Sequence, residues 1–206
     1  MSYLFFGGAF NPPTKAHIYL AEYACKKTNA TQVIFMPTKM TYIANEQAKN
    51  FAFSDQQRYD MLKKICDNHP LLTVSDYELQ AKQQPRTYQT LCALKDRGYP
   101  CKLLFGSDKL LELQTGWKHV EEIAKEFGIV CMERNEDDCQ KMIEENAYLL
   151  SLKQYIEIIP TPNEYHAISS TDVRQQYLIA KQALMNMKEM LPDELEDLYA
   201  YLKNEE

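Results

Sequence analysis

The sequence predicts an α/β protein built on a doubly wound, Rossmann-like parallel sheet with a helical C-terminal subdomain. Six short runs are continuously apolar and do not alternate with polar residues, which is typical of strands covered on both faces. They lie at residues 3–6, 32–36, 71–75, 102–105, 128–132 and 155–159. Segments of helical period separate them, as βαβ units require. In such a sheet we expect ligands beyond the carboxyl ends of the strands, where the strand order reverses.

Three helices between the strands have an end marked by a capping residue. They are predicted at residues 55–67 behind Ser54, 87–97 before Gly98 and 120–127 before Gly128. After residue 168 the pattern is helical throughout, and Pro192 divides it into two helices. We therefore predict a single domain over residues 1–206, with an α/β core over 1–168 and a helical C-terminal subdomain over 169–206.

The distribution of charge limits the partners. A net charge of −6 on 206 residues argues against nucleic acid or an anionic membrane as a partner, because either requires a clustered basic surface. The acids are concentrated in residues 133–145, interpreted as a solvated face, and in residues 191–206; each stretch holds six acids, against two bases and one base respectively. The rest of the chain carries more bases than acids, so it can bind an anionic small molecule.

The cysteines and the N-terminus indicate the compartment. None of the six cysteines forms a C-x-x-C pair or has the spacing of a zinc site, and several lie in apolar runs. This pattern predicts buried, reduced thiols in a cytosolic protein. The N-terminal apolar run is too short for a signal peptide, and no apolar stretch approaches the ~20 residues of a membrane span. We expect a cytoplasmic protein with no membrane partner.

The loop after the first strand is the first candidate binding site. Gly7 and Gly8 follow the strand directly, and glycine at these positions permits positive φ and lets a phosphate approach the backbone N–H groups. The pattern is neither G-x-G-x-x-G nor a P-loop. His17 lies about one turn into the next helix, where its imidazole would stabilise charge on a phosphoryl oxygen. A lone histidine is more often a structural residue, and only its position favours the catalytic interpretation.

A second candidate cluster opens the helix after the last strand. Residues 168–174 read Ile-Ser-Ser-Thr-Asp-Val-Arg, and their hydroxyls suit a helix N-cap. Capping does not explain Arg174, whose guanidinium could bind the same anion as the helix terminus.

Three further segments lie between these two clusters. Gly106-Ser107-Asp108 follows the fourth strand, where turn chemistry is the simpler explanation. Thr87 has a structural explanation as a helix cap, and Trp117, the only tryptophan, has one as a packing residue. Lys39 follows the second strand, where a solvated lysine is the simpler reading.

The two clusters resemble a known family. Residues 7–12, Gly-Gly-Ala-Phe-Asn-Pro, and 14–17, Thr-Lys-Ala-His, resemble the signature loop of nucleotidyltransferases with an [H/T]-x-G-H motif, in particular the nicotinate and nicotinamide mononucleotide adenylyltransferases. Residues 168–174 resemble that family's I-S-S-T-x-x-R motif. Three residues depart from its pattern: Asn11 in place of aspartate, Thr14 in place of histidine and Ala16 in place of glycine.

The resemblance implies an activity and a set of site residues. ATP and a pyridine mononucleotide would be the substrates, with Mg²⁺ entering through the ATP phosphates and no metal ligand on the protein. His17 and Arg174 would be catalytic. The residues implied for ATP are Gly7, Gly8, Ala9, Phe10, Thr14, His17, Gly106, Asp108, Ile168, Ser169, Ser170, Thr171 and Arg174. Those implied for the mononucleotide are Lys39, Tyr42, Thr87 and Trp117.

Three alternatives stay open beside the predicted transfer to nicotinate mononucleotide. The acceptor could be nicotinamide mononucleotide. The chain could instead be a related nucleotidyltransferase, such as a phosphopantetheine adenylyltransferase, a family that shares threonine at position 14. In a different functional class, it could be a non-catalytic nucleotide-binding or sensing protein. The departures at Asn11, Thr14 and Ala16 would be the evidence for that alternative.

Overall fold

Six parallel strands form the centre of the fold. In the computed structural model they are β1 (Tyr3–Gly8), β2 (Val33–Pro37), β3 (Leu72–Val74), β4 (Cys101–Gly106), β5 (Ile129–Glu133) and β6 (Ile156–Pro160). The structure describes residues 2–42, 53–134, 137–162, 164, 168, 170–171 and 191–195. All six predicted strands are confirmed, with ends that differ by one or two residues. The doubly wound α/β class is therefore confirmed as well.

The strand order places a crevice at the middle of the sheet. The order is β3-β2-β1-β4-β5-β6, so the chain winds outward from β1 to β3 and then crosses back to start β4 on the other side of β1. The carboxyl ends of β1 and β4 are neighbours at this switch point. Those ends are Gly8 and Gly106, which places both glycine segments where ligands bind in such folds.

Eight α-helices cover the sheet within the described part of the chain. They are α1 (Lys15–Lys27), α2 (Asp55–Cys66), α3 (Tyr77–Gln80), α4 (Thr87–Asp96), α5 (Glu112–Thr115), α6 (Val120–Glu126), α7 (Cys139–Glu144) and α8 (Ala147–Leu152). Ser54 caps α2 as predicted, with its hydroxyl accepting from Gln57 N at 3.2 Å. Gly98 (φ 89°) and Gly128 (φ 81°) follow α4 and α6 in the left-handed conformation that ends helices.

One predicted surface stretch is partly core. Residues 133–145 were expected to form a solvated acidic face, but α7 lies within them and buries Cys139 and Ile143 completely. The prediction was wrong on this point because charge counting hides two apolar positions, four residues apart, on one helix face.

Adjacent strand residues pack into two separate cores. Leu4 and Phe35 belong to the core beneath α1 and α2, whereas Phe5 and Ile34 belong to the core on the other face. Successive side chains of a strand point to opposite faces of the sheet, so neighbouring residues enter different cores. Because both faces are covered, most positions of the strands are apolar.

The segment 191–195 packs on the first core. Leu191 and Leu195 are buried there, and Glu194 contacts the Nε2 atom of His69 at 3.3 Å, while His69 Nδ1 contacts Glu22 at 2.9 Å. The rest of the chain beyond residue 171 lies outside the described residues, so the helical subdomain over 169–206 stays a prediction.

Among the described helices, none is both long and apolar enough to cross a membrane. All six cysteines are free thiols, and four of them are buried. Burial raises the pKa of the Cys66 and Cys101 thiols to about 12, which keeps them protonated and unreactive.

Candidate active site

The loop after β1 has its positive φ at an aromatic residue and not at a glycine. Gly7 and Gly8 continue the strand, paired with Met36 and Pro37, and the positive φ, 44°, belongs to Phe10. The positive φ that glycine permits is therefore not used at Gly7 or Gly8.

Packing explains why these two positions are glycine. A Cβ on Gly7 would lie 2.9 Å from the ring of Phe5, and one on Gly8 would lie 3.1 Å from the ring of Phe10. Both rings are buried and cannot move aside. Gly7 is nevertheless exposed, so its backbone is open to the crevice.

Arg58 holds the loop in place from beneath. Its side chain is completely buried, and it donates to the carbonyl oxygens of Ala9 at 2.8 Å, Thr38 at 2.6 Å and Phe53 at 3.2 Å. Burial lowers the pKa of Arg58, and the Asp55 carboxylate, 2.6 Å away, opposes that shift. One guanidinium thus fixes the exits of β1 and β2 relative to each other.

Asn11 makes a second connection at the same place. Its Oδ1 accepts from the backbone N–H of Phe53 at 2.9 Å, and the residue is completely buried. Because a carboxylate oxygen could accept the same bond, the departure from aspartate preserves this link.

Thr14 and His17 form a reciprocal cap at the start of α1. The Thr14 hydroxyl accepts from His17 N at 3.4 Å, and His17 Nδ1 accepts from Thr14 N at 3.1 Å. The Thr14 Oγ1 atom also lies 2.8 Å from Nδ1. Because Nδ1 accepts a backbone hydrogen bond, the proton of the neutral imidazole sits on Nε2. Thr14 itself is completely buried, so it contacts His17 and does not reach the surface of the crevice.

Aromatic rings fix the plane of the His17 imidazole. The ring of Phe10 meets it edge-on with centroids 5.2 Å apart, and Phe6 lies 6.3 Å away. His17 is half-buried between them at the N-terminus of a 13-residue helix. The helix dipole and this imidazole therefore act on the same region, and both favour an anion there.

The second motif lies against the first. Ser170 Oγ donates to the carbonyl oxygen of Pro12 at 2.8 Å, which joins two segments 158 residues apart. Ile168 is half-buried and Thr171 is exposed at this point. Ser169 and Arg174 lie outside the described residues, so their positions stay a prediction.

The exit of β4 carries both predicted residues and one that the sequence reasoning missed. A Cβ on Gly106 would lie 2.8 Å from Asp108 Oδ1 and 3.3 Å from Arg134 Cδ, so glycine leaves room for both side chains. Asp108 is exposed, whereas Ser107 is buried and accepts from Arg134 N at 3.2 Å. Arg134 follows β5 directly, and its position at a strand end was the signal that could have identified it.

The segment after β2 is fixed at both predicted positions. Lys39 Nζ donates to the Leu79 carbonyl at 2.6 Å, and its backbone N–H donates to Gln84 Oε1 at 2.8 Å. Tyr42 is half-buried, and its N–H donates to the Lys39 carbonyl at 3.1 Å. Lys39 is therefore held in position by two hydrogen bonds and is not a freely solvated lysine.

The other two residues predicted for the mononucleotide lie on separate elements. Thr87 is the first residue of α4, and Arg86 occupies the N-cap, so the structural explanation of Thr87 as a cap is wrong. Trp117 is half-buried, with its ring 6.1 Å from that of Phe105.

A depression of about 560 Å³ lies beside Trp117 and along α6. Its wall carries the carboxylates of Glu121, Glu122 and Glu126 together with the ammonium groups of Lys118 and Lys125. Of the predicted site residues that the structure describes, only Trp117 lines this depression.

Comparisons with known proteins agree with this geometry. Residues 5–176 match the family model described as cytidylyltransferase-like. A probable nicotinate-nucleotide adenylyltransferase of Clostridium botulinum is 31% identical over 170 residues, which cover 82% of each chain. Its counterpart in Aquifex aeolicus is 40% identical over 131 residues, covering 63% of this chain and 75% of the relative. Nicotinic acid mononucleotide adenylyltransferase of Plasmodium falciparum, solved in complex with NaAD, has the same fold, with a TM-score of 0.71 at 18% identity over 97% of this chain and 98% of that one.

Proposed function

The chain belongs to the cytidylyltransferase-like family and, within it, to the nicotinate-nucleotide adenylyltransferases, and on that premise we propose that it transfers the adenylyl group of ATP to nicotinate mononucleotide. The products are deamido-NAD and pyrophosphate, and the reaction is a step of NAD biosynthesis. One observation carries the proposal: the bond from Ser170 to Pro12 brings the second motif to the loop that orients His17.

The reaction is a substitution at the α-phosphorus of ATP. A phosphate oxygen of the mononucleotide forms the new P–O bond, and the bond from the α-phosphorus to the oxygen bridging to the β-phosphate breaks, so the electron pair leaves with pyrophosphate. The attacking phosphate is already ionised near neutral pH and needs no general base. Positioning and stabilisation of charge therefore supply the acceleration.

His17 stabilises the charge that develops on the phosphoryl group. Since Nδ1 is held by Thr14, Nε2 presents the proton of the imidazole. The exposed backbone at Gly7 and the dipole of α1 act on the same anion. The sequence implied that Thr14 contacts the phosphate directly. We infer instead that Thr14 acts by orienting His17.

The triphosphate and the nucleoside occupy the two sides of the crevice. Ser169, Ser170, Thr171 and Arg174 hold the triphosphate, and the backbone at Gly8, Ala9 and Phe10 lies beneath it. Gly106 and Asp108 bind the nucleoside at the exit of β4, where the exposed Asp108 carboxylate suits ribose hydroxyls. Arg134, beside Gly106, adds a cation to this half of the site.

Mg²⁺ enters with ATP. Within the described ranges no three His, Cys, Asp or Glu side chains form a group that could hold a metal ion. Oxygens of the ATP phosphates would coordinate the Mg²⁺. When bound, Mg²⁺ neutralises charge on the triphosphate and orients it.

The mononucleotide lies on the side of β2 and α4. Lys39 contacts its phosphate, Tyr42 and Thr87 border it, and Trp117 stacks on the pyridine ring. ATP binding at β1 and β4 then places the α-phosphorus between the two halves, as a displacement reaction requires.

The proposed setting of the reaction is the cytoplasm, in agreement with six free thiols.

The decisive experiment supplies one acceptor at a time. The protein is incubated with ATP, Mg²⁺ and nicotinate mononucleotide, nicotinamide mononucleotide or phosphopantetheine, and pyrophosphate is measured. We expect the fastest release with nicotinate mononucleotide. Faster release with nicotinamide mononucleotide changes the acceptor, and release with phosphopantetheine alone identifies a different transferase. ATP binding without release for any acceptor overturns the enzyme assignment in favour of a sensor.

A further inference from the structure

A buried carboxylate stands behind the mononucleotide half of the site. Glu78, in α3, is only 2% exposed, and few charged residues of the described chain are buried so deeply. Its Oε1 accepts from the Thr90 hydroxyl at 2.7 Å, and its Oε2 accepts from Gln84 Nε2 at 2.5 Å. Both donors come from outside its own helix, so Glu78 joins segments that are otherwise separate.

Each donor leads to a residue proposed for the mononucleotide. Gln84 uses its other amide atom, Oε1, to accept from the backbone N–H of Lys39 at 2.8 Å. Thr90 lies one turn after Thr87 in α4 and is completely buried. Glu78 therefore contacts the exit of β2 through Gln84 and the first turn of α4 through Thr90.

The geometry is specific for a carboxylate. A hydroxyl and an amide N–H both donate to Glu78, and an ionised carboxyl group is a pure acceptor that satisfies both. Gln84 cannot reverse its amide without directing N–H at the N–H of Lys39. The charge at position 78 thus fixes the orientation of Gln84, which in turn fixes the backbone at Lys39.

We propose that Glu78 is a positioning residue for the acceptor half of the site, acting through Gln84 on Lys39 and through Thr90 on Thr87. The inference rests on the proposed function for its ligand and assigns Glu78 no contact with substrate. Its consequence is selective: loss of the carboxylate weakens binding of the mononucleotide and leaves ATP binding and the chemical step largely unchanged.

The test compares KM for the mononucleotide with kcat and KM for ATP, all measured on the full chain. In Glu78→Gln we expect KM for nicotinate mononucleotide to rise ~5- to 10-fold, the effect of about one lost hydrogen bond, with kcat and KM for ATP within twofold of the unmodified protein. Gln84→Ala removes the connection to Lys39 together with the donor to Glu78 Oε2, keeps the bond from Thr90, and should raise the same KM by a similar factor. Glu126→Gln changes an exposed carboxylate that accepts from the Tyr88 hydroxyl; it is the matched control and should leave all three constants unchanged.

A second measurement does not depend on turnover. Backbone amide exchange over residues 38–42 should quicken in Glu78→Gln and Gln84→Ala, because the Lys39 N–H loses its fixed acceptor, and should stay the same in Glu126→Gln. Unchanged exchange together with an unchanged mononucleotide KM overturns the inference, as does an equal loss of affinity for both substrates. An unmodified protein that releases no pyrophosphate overturns the proposed function instead, and the exchange measurement then still decides whether Glu78 organises the segment.

Discussion

Ser170 Oγ donates a hydrogen bond to the carbonyl oxygen of Pro12 at 2.8 Å, across 158 residues of chain. Pro12 is buried in the loop that follows β1, and Ser170 belongs to the helix start that follows β6. The bond therefore connects the two ends of the α/β core at the switch point of the sheet. It brings together two motifs that the sequence places far apart.

Replacing Ser170 with alanine tests this connection. The variant leaves the Pro12 carbonyl without its donor, at a cost of ~1 kcal/mol, and loosens the second motif over the triphosphate. We expect KM for ATP to rise ~5-fold with a smaller effect on the mononucleotide. Ser151→Ala, which removes an exposed hydroxyl bonded to Tyr148 far from the crevice, is the control. Equal KM values for ATP in the two variants would contradict the role of Ser170.

Replacing His17 with alanine tests charge stabilisation. We expect kcat to fall ~10²-fold or more with the fold intact, as for the loss of a single charge-stabilising donor. The measurement is steady-state pyrophosphate release, together with a circular dichroism spectrum to check folding. His119→Ala removes an exposed histidine that contacts Glu122 and should retain normal turnover. Near-normal turnover of His17→Ala would exclude the residue from the mechanism.

Thr14 gives a finer test of the same group. Thr14→Ala removes the N-cap hydroxyl, which costs ~1 kcal/mol of stability, and leaves only the backbone N–H to hold His17 Nδ1. We expect a lower melting temperature and a reduced kcat that remains above that of His17→Ala. Thr14→Ser keeps the oxygen and should restore both quantities. If Thr14→Ala and Thr14→Ser have the same kcat, the hydroxyl does not act through His17.

The regular part of the fold follows directly from the sequence. Strands buried on both faces, the Ser54 cap and the terminating Gly98 and Gly128 are local signals, and the structure confirms each of them. The short helix α7 was not predicted because its two buried positions lie in a strongly acidic stretch. There the local composition indicates an exposed segment, whereas tertiary contacts bury two of its side chains.

The details of the site depend on long-range contacts. The sequence identified Gly7 and Gly8 as special, but the reason, packing against the rings of Phe5 and Phe10, is tertiary. The three carbonyl partners of Arg58 likewise come from segments that no periodicity connects. Sequence spacing therefore does not predict how these residues are held, because their contacts are tertiary.

Arg58→Lys tests how the loop is held. Lysine keeps a charge but cannot reproduce the planar fork that reaches Ala9, Thr38 and Phe53 at once. We expect unfolding by urea to show a loss of at least ~3 kcal/mol, because buried carbonyls lose their donors and the buried charge loses its partners. Arg97→Lys, on an exposed arginine, should change stability by no more than ~0.5 kcal/mol. A stability for Arg58→Lys that matches Arg97→Lys would show that the three contacts contribute nothing.

Glu78 predicts a dependence of stability on pH whose sign follows from burial. Burial raises the pKa of its carboxyl group above the ordinary value of 4.5, and the hydrogen bonds from Thr90 and Gln84 only partly oppose that shift. The folded protein therefore binds the proton more tightly than the unfolded chain, so this group's contribution to stability is complete at low pH and is lost as pH rises through the raised pKa.

The Glu78→Gln variant lacks this titration. Measured by urea unfolding between pH 4.5 and pH 7.5, the variant should gain stability relative to the unmodified protein as pH increases. A difference that stays constant, or that shifts in the opposite direction, would show that the hydrogen bonds outweigh burial at Glu78. The predicted sign means that the buried charge of Glu78 destabilises the folded protein. Its role is then to position the acceptor half of the site through Gln84 and Thr90.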